Sequence, residues 1–586
     1  MAESLETRQL MSTMNPTANP YGHPTSTVSG TDPQGNQWTL RLYGPGTLNV
    51  ISTTGVPFNR SDKNTPMLID TITVAGANTS ETRVVGTVYP TGSTGEVYFQ
   101  NLIVTPSGEL GKIDTGQVSN FRTVQNGIAA IDMPDFYMAH TETAAPSQTS
   151  LIHASAMSAG EIYIPQGVKT LRFGGVDTDF TPAGATPLNQ QSLNAEFQIN
   201  LGLPLTTGTS VIVNTVNSDA FSSTSSGTTT VYQDYATFLV TGRLNLFQAN
   251  SITGNTTAGE LPTQFVPGTT TVNPGGTYVV SQGGPATGQI GNIRIGGNAT
   301  NFTAIVTEDA VDTIAAEGQL DAKLSNFYIG GETDNVSVVA PSGARNISFG
   351  LGMDNVLINA NVISSLRANR DITNSTVTVS RSIGNLIDGG DLTNSQINVG
   401  ESQSLFSIAN TPPSSALETN GTGVFYGSPP PTVVNQTEPN STTHQLEPFA
   451  QNGGTIAARI AGNVTNSVIS ASVDPNPPGT TSPLFGPDGD SIILPRGVIN
   501  VKVEGTVNNT SNSLVDNVLA PNHAFFARVV KVKHGPVIPS TVPNNPLPAP
   551  TKYYVGQNSL KGLIKIDHYP SIDGRKLTKS KNNVPT

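Results

Sequence analysis

The chain has 586 residues with 29 basic and 41 acidic side chains, a net charge of −12, and only 12% charged residues against the ~25% usual in soluble domains. That balance, without a long Lys/Arg cluster, excludes nucleic acid as a partner, and the absence of cysteine excludes disulfide frameworks, thiolate metal sites and cysteine nucleophiles. No stretch approaches the ~18 consecutive apolar residues of a membrane span, while 59 Gly and 42 Pro stay below the ~25–30% that marks low-complexity chains, so a folded body without a transmembrane span is expected.

Ser, Thr, Asn and Gly dominate and Lys and Glu are scarce, which disfavours helices and suits strands joined by turns. The chain therefore reads as all-β. Residues 1–30 read as an export or anchor-like segment without a core of its own, lacking the charged-then-apolar pattern of a secretory signal. Residues 31–160 form an irregular N-terminal β region, with strand-like runs at 38–43 and 96–104 separated by Gly/Pro turns and expected to make β-rungs of uneven length.

Residues 161–410 contain a repeat. Asn335, Asn355, Asn374 and Asn394 are spaced by 20, 19 and 20 residues, each preceded by Asp or Thr. The first, third and fifth residues after each Asn are Val336, Val338 and Ala340; Val356, Ile358 and Ala360; Ser375, Val377 and Val379; Ser395, Ile397 and Val399. Period two over five residues is a strand with one buried face, and Val paired with Ala, or Ser with Val, keeps the interior cross-section constant. A second inward strand is predicted from Leu324 and Phe327, Ala344 and Ile347, Ile363 and Leu366, and Ile383 and Leu386. Gly330, Gly350, Asn369 and Gly389, five residues before each reference Asn, are expected to supply left-handed corners. Further copies lead to Asn301 and Asn466, and the 162–168 and 492–498 segments match each other outside the template. The architecture predicted is an elongated β-solenoid, or parallel β-helix, with ~20-residue rungs about 4.8 Å apart and Asn side chains stacked as ladders.

Residues 411–450, rich in Pro, Asn and Thr, read as a long loop inserted into one rung, and 451–535 as the C-terminal solenoid rungs. Residues 536–586 are a Pro-rich linker followed by a basic tail in which seven Lys/Arg face two Asp.

The segment opening Glu3-Ser-Leu-Glu-Thr-Arg-Gln-Leu-Met resembles the Leu-Glu-Pro-Arg motif followed by paired Leu of exported repeat proteins of planctomycete-type bacteria. Leu5, Glu6, Arg8, Leu10 and Met11 fill its places, with Thr7 standing for Pro and Met11 for Leu. The Tyr43-Gly-Pro-Gly46 turn and the Ile-Gly-Asn-Ile rung from Ile290 resemble the Gly/Thr/Asn-rich repeats of the same proteins. The resemblance implies export to the cell surface or medium and a structural or adhesive role, and brings no catalytic residues.

The best candidates for chemistry lie at rung corners. Glu332, Asp371 and Asp391 sit three residues before their reference Asn, and two carboxylates ~5 Å apart on neighbouring rungs would be either a Ca²⁺ site or a pair with one raised pKa; the alternative is a solvated turn helped by Arg370. Asp388 occupies a position that is Ile295, Ile329, Phe349 and Ala368 in other rungs, so it is either a buried, perturbed acid or turned to solvent by a bulge. Asp488 and Asp490, like Asp177 and Asp179, have the alternation of Ca²⁺ loops without the terminal Glu, and ordinary turns share that spacing. The seven His residues form no zinc or serine-hydrolase motif.

Three functional expectations follow: a non-catalytic surface protein whose partner is an envelope polysaccharide or another surface protein; a polysaccharide lyase or glycoside hydrolase using Asp371, Asp388, Asp391 and Arg370; or a subunit that assembles with itself into fibres or arrays. No cofactor other than Ca²⁺ is expected.

Overall fold

The computed structural model describes residues 22–58, 65–77, 81–91, 95–106, 130–144, 149–157, 160–164, 168–178, 194–199, 208–218, 221–225, 228–232, 235–254, 276–282, 289–306, 323–340, 343–402, 454–474, 497–508, 524–527 and 529–533, with short strands at 405–409, 432–436, 438–439, 446–447, 449–450, 492–493 and 564–565. The protein is all-β; among the described residues there is no helix, and the largest sheet is built mainly of parallel strands and closes on itself. The chain divides into two compact units, Met1–Met138 with Glu142–Ser155, and Ala139–Thr141 with Ala156–Thr586.

The first unit departs from the expected rungs. Ser26–Thr31, Gln37–Tyr43 and Arg83–Tyr89 are antiparallel neighbours, and Thr47–Ser52 is antiparallel to Ile69–Ala77, which in turn runs parallel to Val97–Pro106. Short turns cause the reversal. Asp32 accepts hydrogen bonds from the Asn36 backbone N–H (2.7 Å) and Nδ2 (3.0 Å), closing a hairpin. The only tryptophan, Trp38, is buried edge-on to Phe58 (centroids 5.0 Å) and Phe136 (6.5 Å), and its ring fills the space where a side chain at Gly30 would stand.

In the second unit the repeat governs the pairing. Arg243–Ala249, Gln289–Ile295, Lys323–Ile329 and Ala344–Phe349 pair in parallel, each with the next, and the ladder continues through the second half of Val356–Ala368, the second half of Thr376–Asp388, Thr455–Ile460, Val498–Val503 and Val529–Lys533. This is the first ladder. A second joins Gly276–Gln282, Ala299–Val306, Thr333–Ala340, the first halves of Val356–Ala368 and Thr376–Asp388, Gln396–Val399, Val468–Ala471 and Phe525–Ala527. Two-residue strands from Met353–Asp354 to Val507–Asn508 make a third. Reference residues one repeat apart thus stand side by side.

All the apolar positions predicted to face inward, from Leu324 to Val399, are buried. The fourth position after the reference Asn differs from the simple alternation, because Val339, Asn359, Thr378, Asn398 and Ser470 are buried on the opposite face, where Ser470 Oγ bonds Asn398 Oδ1 at 2.8 Å. Aromatic rings supply a feature that the template does not contain: Phe173, Phe197, Phe238, Phe247, Phe302, Phe327 and Phe349 contact one another in succession, with centroids 4.4–6.2 Å apart.

The left-handed residue is not where it was expected. Asn301, Asn335, Asn355, Asn374, Asn394 and Asn466, the reference asparagines themselves, have φ between 47° and 54°, the conformation Asn tolerates best after Gly. Gly330, Gly350 and Gly389 do not have positive φ; they are glycines because backbones of successive repeats approach closely there, and an added Cβ at Gly350 would lie 2.7 Å from Gly330 O. The bend at Asn355, Asn374 and Asn394 is repaired from the following repeat. Ser375, Ser395 and Ser467 accept the backbone N–H of Val356, Ser375 and Ser395 at 3.0–3.1 Å while donating to the carbonyls of Thr373, Thr393 and Thr465. The inward serines therefore satisfy the backbone as well as adjusting volume.

Both ladders pass directly from the repeat of Asn394 to that of Asn466. The chain leaves at Gly400 (φ 80°) and returns at Gly454, and within the segment between them 401–402 pairs antiparallel with 449–450 and 405–409 with 432–436. Of the matched segments 162–168 and 492–498, the first begins in a parallel ladder strand, Gly160–Ile164, whereas Ile492–Ile493 pairs antiparallel with Val473–Asp474. Downstream both enter the first ladder, and Leu171, Phe173, Val501 and Val503 are buried.

Candidate functional site

Asp388 faces inward. Its residue is 1% exposed, and it stands in register between Ala368 and Ile460, continuing a buried column that includes Ile329 and Phe349. The bulge that would have turned it outward is absent from its strand end; instead the chain turns just beyond it, and Asp388 Oδ1 accepts the Gly390 N–H at 3.0 Å. Oδ2 is buried with no hydrogen-bond partner among the described residues. Burial pushes its pKa up to about 7, against the smaller opposing effect of the Gly390 hydrogen bond, and the nearby carboxylates Asp371 and Asp391 push it the same way as burial. Such a group holds a proton near neutrality but has no surface on which to meet a dissolved substrate.

Asp371 and Asp391 stand on neighbouring repeats, as their spacing predicts. They are joined through the backbone: the Asp391 N–H donates to Asp371 Oδ1 at 2.8 Å. The pattern repeats along the corner, since Asn463 N–H donates to Asp391 Oδ1 (2.6 Å), Thr506 N–H to Asn463 Oδ1 (2.8 Å) and Glu332 N–H to Asn298 Oδ1 (2.9 Å). The acceptor and the backbone of its own repeat together restrict the residue before the corner in the next repeat. Gly331, Gly390, Gly462 and Gly505 follow Asn298, Asp371, Asp391 and Asn463, and a Cβ at any of them would lie within 2.8 Å of both the acceptor oxygen and the backbone beside it. After Glu332 and Gly352, which offer no such oxygen there, the same place holds Leu351 and Arg370. Arg370 is exposed, with its N–H on Leu351 O at 2.6 Å.

Asp488, Asp490 and Asp179 lie outside the described residues, as do residues 1–21 with the N-terminal motif. Among the described residues no three His, Asp or Glu side chains group as metal ligands, and no helix is long and apolar enough to cross a membrane. Two polar arrangements escaped the sequence reading because each joins residues at least 21 positions apart in the chain, His153 to Asp132 and Arg459 to Glu504. His153 Nδ1 and Asp132 Oδ1 pair at 2.8 Å in the first unit. Glu504 Oε1 accepts from Lys502 Nζ (2.8 Å) and Arg459 Nη2 (2.9 Å), which together hold its carboxyl below the ordinary range. Carrying the register to the outward positions of the repeat would have found the second.

In comparison with known proteins, no family model matches this chain, and neither a curated protein nor a solved structure matches it.

Proposed function

We propose that the parallel ladders of the second unit wind as one β-solenoid of about 20 residues per rung, and that the protein is an exported bacterial surface or extracellular component with a structural or adhesive role. Its partner is an envelope polysaccharide or another surface protein. The observation that carries this reading is the use to which the candidate acids are put: Asp388 is enclosed, and Asp371 and Asp391 each spend an oxygen on the backbone of the next repeat. Stacked repeats with long outward faces suit binding, the usual work of solenoids. The resemblance to planctomycete-type exported proteins supports the location.

The test is incubation of the full chain, with and without Ca²⁺, against acidic and neutral polysaccharides, scoring retention and new chain ends. Retention without new ends is expected. Cleavage that disappears in Asp388→Asn or Asp391→Asn would overturn the reading in favour of a carbohydrate-active enzyme.

A further inference from the structure

The register of the first ladder aligns one outward row across the second unit. Arg294, Tyr328, Ser348, Arg367, Ile387, Arg459 and Lys502 are successive partners, strand to strand. Arg294, Tyr328, Arg367 and Arg459 are exposed. At ~4.8 Å per strand, Arg367 and Arg459 stand about 10 Å apart and Arg294 and Arg367 about 14 Å. Two residues earlier on the same face runs a row of Asn292, Asn326, Asn346 and Ser365, whose amides are joined by hydrogen bonds from Asn326 to Asn292 (2.8 Å) and from Asn346 to Asn326 (2.9 Å). Neither stretch contains an acid. The exposed carboxylate of Glu504 bonds two members of the row, Lys502 and Arg459, and both pairs are open to solvent. In a chain of net charge −12, this is a concentration of positive charge on an open sheet face.

We infer that this face is a track for an acidic polysaccharide, its carboxylate or sulfate groups meeting Arg294, Arg367, Arg459 and Lys502 and its hydroxyls meeting the asparagine amides. The inference rests on the proposed role as a binding scaffold and names the class of partner. Several features favour a polysaccharide over a nucleic acid. The cations are separated by one to three strands, a spacing suited to charges borne once per sugar or disaccharide, whereas nucleic acid brings a phosphate every few ångströms and is met by dense basic clusters. Asparagine amides donate to and accept from hydroxyls equally well. Tyr328, 38% exposed and next to Arg294 in the row, supplies an aromatic ring against which a sugar can pack. Arg367 is already oriented, its Nε donating to Asn369 Oδ1 at 2.8 Å.

The experiment measures retention of the full chain on immobilised polygalacturonate, heparin, neutral dextran and single-stranded oligo-dT. It compares Arg294→Gln/Arg367→Gln with Lys169→Gln/Arg381→Gln, which removes the same charge away from the row. Expected are binding to one or both acidic polysaccharides, loss of affinity by about tenfold or more in the first variant, and near-parental binding in the second. Equal weakening in both variants would reduce the effect to net charge and overturn the track. So would oligo-dT binding as tight as that of either acidic polysaccharide, or no binding to either of them. Dextran retention unaffected by the first variant would overturn the track while leaving the adhesive reading intact; new chain ends in the same incubations would instead overturn the non-catalytic reading and leave the track standing. Unchanged thermal melting of both variants separates these outcomes from misfolding.

Discussion

Asp388 places a carboxyl group where neighbouring repeats place Ala368 and Ile460, and the consequence is a pH-dependent stability of definite sign. Its folded pKa, about 7, lies above the ~3.9 of an unfolded aspartate, so the folded state binds the extra proton. Stability linked to this group is full below pH ~4, declines as pH rises to about 7, and is then lower by up to about 4 kcal/mol. Asp388→Asn keeps an acceptor for the Gly390 N–H and cannot ionise. It is expected to flatten the dependence of unfolding free energy on pH between 4 and 7 and to be the more stable protein at pH 8, by about 1–3 kcal/mol after allowance for a buried amide. Denaturant melts at pH 4.5, 6 and 8 check this; parallel profiles for the two proteins would contradict the burial of Asp388. The asparagine corners give a second residue-level prediction. Asn374 has φ 48°, so Asn374→Ala should cost about 1–2 kcal/mol and Asn374→Gly less, in the same melts.

At the scale of the element, the corner row couples residues a repeat apart. Gly390→Ala would drive a Cβ into Asp371 Oδ1 and is expected to cost about 2 kcal/mol or more. Adding Asp371→Gly should recover the part of that loss due to Oδ1, while the 2.8 Å approach to Asp371 N remains; additive effects in this double-mutant cycle would contradict the coupling. The ring column makes a different demand. Phe327, packed at a tilt between Phe302 and Phe349, should cost about 3–5 kcal/mol as Phe327→Ala, measured by chemical denaturation. These two features mark what the sequence made legible. Period two and the 20-residue spacing revealed both inward strands and gave Asp388 an inward place in the pattern, but left open a bulge that would turn it to solvent, because Asp does not share the apolar class of the other repeats at that depth. Left-handed Asn and the glycine rule stayed hidden: a glycine forced by close approach and one forced by positive φ read alike, and a ladder of side chain to backbone bonds leaves no periodic apolar signal. The Phe column was hidden as well, since its rings come from both ladders.

At the scale of the whole molecule, the repeat explains why a chain with few charges and no cysteine can order so much backbone: each repeat bonds its main chain to the next. The first unit was less legible, because its turns return the strands antiparallel and its single-Trp core has no repeating counterpart. Ladder ends are exposed edges in principle, yet at Val529–Val530 the pairing continues with Lys565 and Ile564 in antiparallel, so the tail strand occupies that edge. In the proposed solenoid, successive repeats advance along one axis. Because the chain has no cysteine, Cys pairs introduced on the outward row can carry spin labels without background. Tyr328→Cys/Arg459→Cys spans four register steps and Gln248→Cys/Lys502→Cys seven, so pulsed dipolar spectroscopy should report backbone separations of about 19 and 34 Å, growing by ~4.8 Å per strand. A seven-step distance equal to or shorter than the four-step one would mean that these strands curve round a closed barrel, and would contradict the solenoid.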